Sequence, residues 1–248
     1  TAHVPGGVAV IESGEVDHRV APSWVALAAV SAVAGASLGP SFALVMMGGG
    51  LTSWIASRIW RDDPHIRLDA TMAGIAGGFG GVFTSPGLGT LIVSELAPIR
   101  RERYVEGLLP QLIAATAAFA VFFGVAGSTL LNSFAVPTGE FSAWDLLTGV
   151  GLGITASVIM IVFVLIVKLV QAVAGKVSNG LVRGLVGGGL VGVIAVALPL
   201  TVGAGNDQLS AVIDESATIN VWLLVAVLIG KMLAMALSLA TGFIGGNV

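Results

Sequence analysis

The residues with most to say about chemistry form the stretch Ala34-Gly-Ala-Ser-Leu-Gly-Pro-Ser-Phe-Ala43, with Gly48-Gly49-Gly50 close behind. Its chemistry is that of exposed backbone. The stretch lies inside an uncharged run, residues 20–57, long enough to hold nearly two membrane spans of about 20 residues each. Its middle is nevertheless filled with helix-breaking residues. In hydrocarbon every backbone N–H and C=O needs a partner, so broken backbone at that depth is tolerated only where protein or a water-filled cavity covers it. A helix that starts in mid-membrane points free N–H groups and a positive dipole end at whatever lies there. An anion is the natural guest. The expected pathway residues on this side are Gly39, Pro40, Ser41, Phe42 and Ala43.

Other candidates are few. Glu95 sits at the end of an apolar stretch, and pairing with Arg100 or Arg101 is its simplest role. Lys231 stands alone in an uncharged stretch. A lysine there is costly unless paired or snorkelling, and it either pairs locally or raises the local potential for anions. His3, His18 and His65 have no metal-ligand spacing. The chain has no cysteine, which excludes a disulfide framework and a thiol nucleophile. No Ser/His/Asp set, phosphate loop or paired carboxylate stands out, and neither enzymatic activity nor a cofactor is expected.

The chain is 56% apolar and 10% charged, with mean hydropathy +0.99. Soluble domains carry roughly a quarter charged residues, so this is a membrane protein. A net charge of −3 gives no reason to expect nucleic-acid binding. The 35 glycines point to close helix packing and interrupted helices. We expect the sequence to be a segment of a longer protein.

The elements that must position the candidate residues follow from hydropathy and breakers. A short helix is expected near 4–11, an apolar helix over 23–35, and a second from Ser41 to about Trp60. A charged loop then covers 58–69, and residues 70–94 break at Thr84-Ser85-Pro86 into short helices over 70–83 and 86–97. A second charged loop runs from Pro98 to Glu106. Spans are expected in 107–139, 146–167, 184–201 and 219–239, the last ending at Thr241-Gly-Phe-Ile-Gly-Gly246. Basic loops at 58–67, 100–103 and 168–183 then share one side, and acidic loops at 140–145 and 207–215 the other. The positive-inside rule makes the basic side cytoplasmic, most simply in a bacterial inner membrane. Two Gly-rich breaks, at 35–50 and 242–246, each follow an apolar helix, the pattern of an inverted-repeat transporter with a midplane site. The chain reads as one membrane segment, with 1–139 as a front half of broken helices and 140–248 as the start of a second repeat.

In this order and spacing the motifs resemble the CLC family of chloride channels and chloride/proton antiporters, as a divergent bacterial-type member. Thr1-Ala-His-Val-Pro5 is similar to the family's Gly-Ser-Gly-Ile-Pro, and Gly39-Pro-Ser-Phe-Ala43 stands where the family has Gly-Lys/Arg-Glu-Gly-Pro. Ala73-Gly-Ile-Ala-Gly-Gly-Phe-Gly-Gly-Val-Phe-Thr-Ser-Pro86 and Gly89-Thr-Leu-Ile-Val-Ser-Glu95 resemble its Gly/Ala-rich helix, proline break and acidic helix end. Lys231 through Val248 resembles the lead-in to its Gly-Gly-X-Phe-X-Pro motif.

The resemblance implies an all-α membrane protein, an inverted-repeat bundle with broken and half-spanning helices. It also implies a voltage-gated family, chloride as the transported ion, and a homodimer joined through helices near 86–97 and 106–123. Its anion pathway would pass Ala2, His3, the 39–43 stretch and Gly245, Gly246, Asn247 and Val248. The family's gating glutamate, which carries the proton, falls at Ser41 if Gly39 starts the central motif, or at Leu38 if Gly39-Pro40 ends it. The first alignment keeps the spacing to Gly48-Gly49. Either way the carboxylate is missing, the inner proton-transfer glutamate is replaced by Leu96, and the pore serine by Ala2. Neither Ser nor Leu takes up a proton near neutral pH. The expectation is passive, channel-like anion transport, with proton-coupled antiport and a non-conducting scaffold as alternatives.

Overall fold

The structure is a computed structural model, and it describes residues 16–96, 104–127, 142–215 and 218–246. The expected helix near 4–11 lies outside them. Packing divides the chain into two units: Thr1–Ala34, Leu38–Ser133 and Ile244–Val248 form the first, and Gly35–Ser37 with Phe134–Phe243 form the second. The described residues are helical, and one isolated antiparallel bridge joins Gly39 to Gly246.

The first unit opens with α1, Ala21–Val33, which has Pro22 in its first turn. Its 13 residues rise about 20 Å, too short for a hydrocarbon core about 30 Å thick. α1 ends where Gly35 takes φ 80°, a conformation that costs glycine little. The chain restarts as α2, Ser41–Ile59. After a short turn, α3 covers Pro64–Val82, with the Asp63 carboxylate accepting the N–H groups of His65 and Ile66 at 2.9 and 3.1 Å. Thr84, at φ 48°, turns the chain into α4, Pro86–Leu96, and α5 spans Tyr104–Ala126.

α3 is the axis of this unit. Its residues from Thr71 to Gly77, with Phe79 and Gly80, are buried. Bare backbone makes the crossings possible. A Cβ at Gly78 would lie 2.7 Å from the Leu44 carbonyl oxygen of α2. A Cβ at Gly89 of α4 would lie 2.7 Å from the Gly80 nitrogen. The core joins Phe42, Val45, Met72, Ile75, Phe79 and Ile244. Trp24 meets Phe42 edge-on at 6.2 Å between centroids, a favoured aromatic geometry.

In the second unit α6 runs Ala143–Ala174, started by a capping box in which the Ser142 N–H donates to Asp145 at 2.6 Å. α7 is Gly180–Ala197, followed by a 3-10 turn at Pro199–Thr201, then α8, Asn206–Asp214, and α9, Val221–Thr241. α9 packs against both α6 and α7. It ends at Gly242, whose φ of 100° lets the Phe243 N–H reach back to the Ser238 carbonyl at 3.2 Å. That is the left-handed glycine ending common at helix C-termini.

Among the described residues five helices, α2, α5, α6, α7 and α9, are long and apolar enough to cross a membrane. The all-α membrane architecture expected from hydropathy is therefore present, with breaks at 34–40, 83–85 and 242–246. Four boundaries differ from expectation. The charged loop over 58–69 shrinks to a turn, because the Asp63 cap and Pro64 start α3 despite Arg67 and Asp69. The first of the two short helices is thus 19 residues long. Helix α5 begins at Tyr104, inside the loop expected to reach Glu106. The basic loop over 168–183 is mostly helix, since Lys168 lies within α6 and Arg183 within α7. Last, α8 forms inside the expected acidic loop at 207–215. Charge runs mark where a chain meets water, and helices readily continue past that level.

Candidate functional site

The two Gly-rich breaks meet. The Gly39 N–H donates to the Gly246 carbonyl at 3.3 Å, and the Gly246 N–H donates to the Gly39 carbonyl at 2.9 Å. Nearby, the Ile244 N–H donates to Ser31 Oγ at 3.0 Å, in a buried bond between residues 213 apart in sequence. Buried backbone amides need such partners, so these bonds are what make the interrupted chain tolerable here. The fit leaves no room for side chains at the second break. A Cβ on Gly245 would lie 2.5 Å from Leu38 Cβ, and one on Gly246 would run into Ser41 Oγ and sit 3.1 Å from the Phe42 nitrogen.

Helix α2 starts beside this junction. Its N-cap is Pro40, which has no N–H and makes no side-chain cap. Its first hydrogen bond is from the Leu44 N–H to the Pro40 carbonyl at 3.1 Å. Among the described residues the N–H groups of Ser41, Phe42 and Ala43 therefore remain at the open, electropositive end of the helix. Ser41 and Phe42 are buried, at 5% and 4% exposure. Ser41 is the first helical residue and not the cap. A cavity of about 250 Å³ adjoins the break, lined by Leu38, Gly39, Pro40, Ala43, Leu44 and Ile244 among others. Leu38, the alternative gating position, is buried against Gly245.

The structure thus brings together Leu38, Gly39, Pro40, Ser41, Phe42, Gly245 and Gly246. Ala2, His3, Asn247 and Val248 lie outside the described residues. Glu95 and Leu96 are exposed at the end of α4, and the expected partners Arg100 and Arg101 also lie outside the described residues. Lys231 donates from Nζ to the carbonyls of Thr201 at 3.1 Å and Gly203 at 2.5 Å. Of its two expected roles, local pairing is the one that this geometry provides.

Two contributors escaped the sequence reading. Ser31 holds Ile244, and Ser37 Oγ donates to the Thr201 carbonyl at 3.4 Å. Lone serines among Ala and Val in a broken helix were the available signal, but serine also bonds its own helix so often that the signal is weak.

Comparison with known proteins bears on this arrangement. A family model described as voltage gated chloride channel matches residues 6–248. A relative in Pseudomonas syringae pv. tomato, named a chloride/fluoride channel protein, is 30% identical over 243 residues, covering 93% of this chain and 51% of its own length. An uncharacterized protein of Methanocaldococcus jannaschii is 28% identical over 182 residues, covering 71% of this chain and 44% of its own length. The chain thus spans about half the length of the curated relatives it matches. Among solved structures, a CLC-type fluoride/proton antiporter superposes with a TM-score of 0.75 at 21% identity, over 97% of this chain and 60% of the other. That likeness is one of fold.

Proposed function

Because the chain belongs to the voltage-gated chloride channel family, the CLC proteins, we propose that the whole protein carries chloride through a passive, channel-like pathway past the start of α2. The observation that carries this reading is the junction itself. Among the described residues the N–H groups at Ser41–Ala43 have no cap and stand beside the Gly39–Gly246 pair, and neither Leu38 nor Ser41 offers a carboxylate to block the route or carry a proton. Backbone amides at a helix start bind anions without side-chain help. Leu96 likewise leaves the inner proton position without an acid. The protein acts as a transporter and not as a catalyst. It works as a homodimer in a bacterial inner membrane, with the basic loops in the cytoplasm. Fluoride is the competing ion, since the Pseudomonas relative is named for both halides.

Full-length protein in liposomes tests the reading. Chloride efflux and proton uptake are followed together with ion-selective and pH electrodes. The expected result is chloride efflux at symmetric pH without proton movement. Stoichiometric proton uptake would establish the antiport alternative instead. A folded dimer with no efflux would point to the scaffold. A bromide soak of crystals of the full-length protein adds a direct check, with an anomalous peak expected within hydrogen-bond reach of the Phe42 and Ala43 N–H groups.

A further inference from the structure

We propose that the first unit binds an anionic phospholipid in a composite site at the basic end of α2, separate from the ion pathway. Two hollows meet there. One, of about 690 Å³, is lined by Asp17, His18, Arg19, His65 and Arg67, with the small hydroxyls of Ser53 and Ser57 at its side. The other, of about 670 Å³, is an apolar groove between α1 and α2. His18 and the adjoining end of α2 are common to both neighbourhoods, since His18 lines each hollow and Trp54 lines the groove one residue from Ser53.

Small residues from both helices line the groove. Ala26 and Ala29 of α1 and Gly48 and Gly50 of α2 line it together with the larger Val25, Met46, Met47 and Leu51. An extended acyl chain has the shape such a furrow takes, and methionine walls adapt to it. The polar hollow supplies the other half of an amphiphile. Arg19 and Arg67 make no ion pair among the described residues, and the Asp17 carboxylate accepts the Arg19 backbone N–H at 2.9 Å. Of the charged side chains that line the hollow, two are guanidinium groups and one is a carboxylate, and two imidazoles add donors. The N–H groups at the start of α3 are already taken by Asp63, so recognition falls to side chains.

The place in the bilayer fits as well. Arg58 stacks over Trp54 at 5.0 Å from the ring centroid, and Trp60 is exposed just beyond α2. Tryptophan and arginine at the end of an apolar helix mark the headgroup level. Basic pockets at that level take phosphate headgroups while the neighbouring groove holds the tail. All of these residues belong to one unit.

Native mass spectrometry of the full-length protein tests the proposal, with phosphatidylglycerol and phosphatidylcholine as matched probes of equal chain length. The wild type is expected to retain phosphatidylglycerol over phosphatidylcholine. Arg19→Gln combined with Arg67→Gln is expected to weaken phosphatidylglycerol binding by about tenfold or more. Ala26→Phe, which fills the groove and leaves the charges alone, is expected to weaken it too. Inorganic phosphate is expected to leave bound lipid in place. Equal retention of the two lipids by the wild type would overturn the proposal. So would binding that neither variant changes, or full displacement by inorganic phosphate, which would mark a free-anion site. If the double arginine variant fails to fold, the wild-type comparison and Ala26→Phe still decide. Binding is read without ion flux, so this result stands apart from the transport reading.

Discussion

At the scale of single residues, Ser41 and Gly246 define the junction. Ser41 sits at the open end of α2, where a carboxylate would compete with an anion for the same N–H donors. Ser41→Glu is therefore expected to give flux that is low at about pH 7.5, where the acid is ionised, and higher at about pH 4.5, where much of it is neutral. The wild type should show little change over that range. Liposome efflux of the full-length variant at both pH values measures this, and pH-insensitive flux would place the gating position elsewhere. Gly246 is constrained by contact, since any Cβ there meets Ser41 Oγ. Gly246→Ala should lower stability by about 1–3 kcal/mol, the usual range for overpacking a filled site. Ser41→Gly in the same chain should recover part of the loss. A thermal double-mutant cycle reads this coupling, and simple additivity would mean that the two residues do not meet.

Helices hold the junction in place through contacts between bare backbones and a few polar staples. α2 crosses α3 so closely that a side chain on Gly78 would strike the Leu44 backbone. Gly78→Val is expected to separate the two helices and shift the start of α2, abolishing flux and lowering the melting temperature. Size-exclusion and thermal profiles of the full-length protein in detergent would show it. In the second unit, α9 is tied to the 3-10 turn by Lys231, whose ammonium serves the Thr201 and Gly203 carbonyls. Lys231→Met leaves the Gly203 carbonyl without that donor and the Thr201 carbonyl with Ser37 Oγ alone, at about 1–3 kcal/mol for a group left unsatisfied. Lys231→Arg keeps donors within reach and should retain more of the stability. A methionine variant as stable as the wild type would mean that water replaces the lysine.

For the whole molecule, the exposed apolar surface of the described helices is the main feature. α5 buries Gly107, Gln111 and Ala115 against its unit and leaves Leu109 and Ile113 about 60% exposed. These 248 residues hold no cysteine, so Ile113→Cys in a full-length chain freed of any cysteine outside them gives a clean probe. If the dimer forms through α4 and α5, the full-length variant should cross-link to a dimer in membranes, while a cysteine at exposed Val158 of α6 should not. Failure of the first, or equal cross-linking by both, would remove α5 from the interface.

Hydropathy and the positions of Gly and Pro were enough to determine membrane residence, the helical class and the places where helices break, because each depends on a short run of residues. That Leu38, Ser41 and Leu96 carry no carboxylate is equally plain in the chain. Charge was a poorer guide to boundaries. Arg67, Lys168 and Arg183 lie in helices because a helix end is fixed by its caps and not by the nearest ion. What only the tertiary structure decided is which break meets which. Gly39 and Gly246 join through backbone atoms that every residue carries, so the pairing leaves no mark of its own in the sequence. Ser31 and Ser37 become structural only because the folded chain brings Ile244 and Thr201 to them.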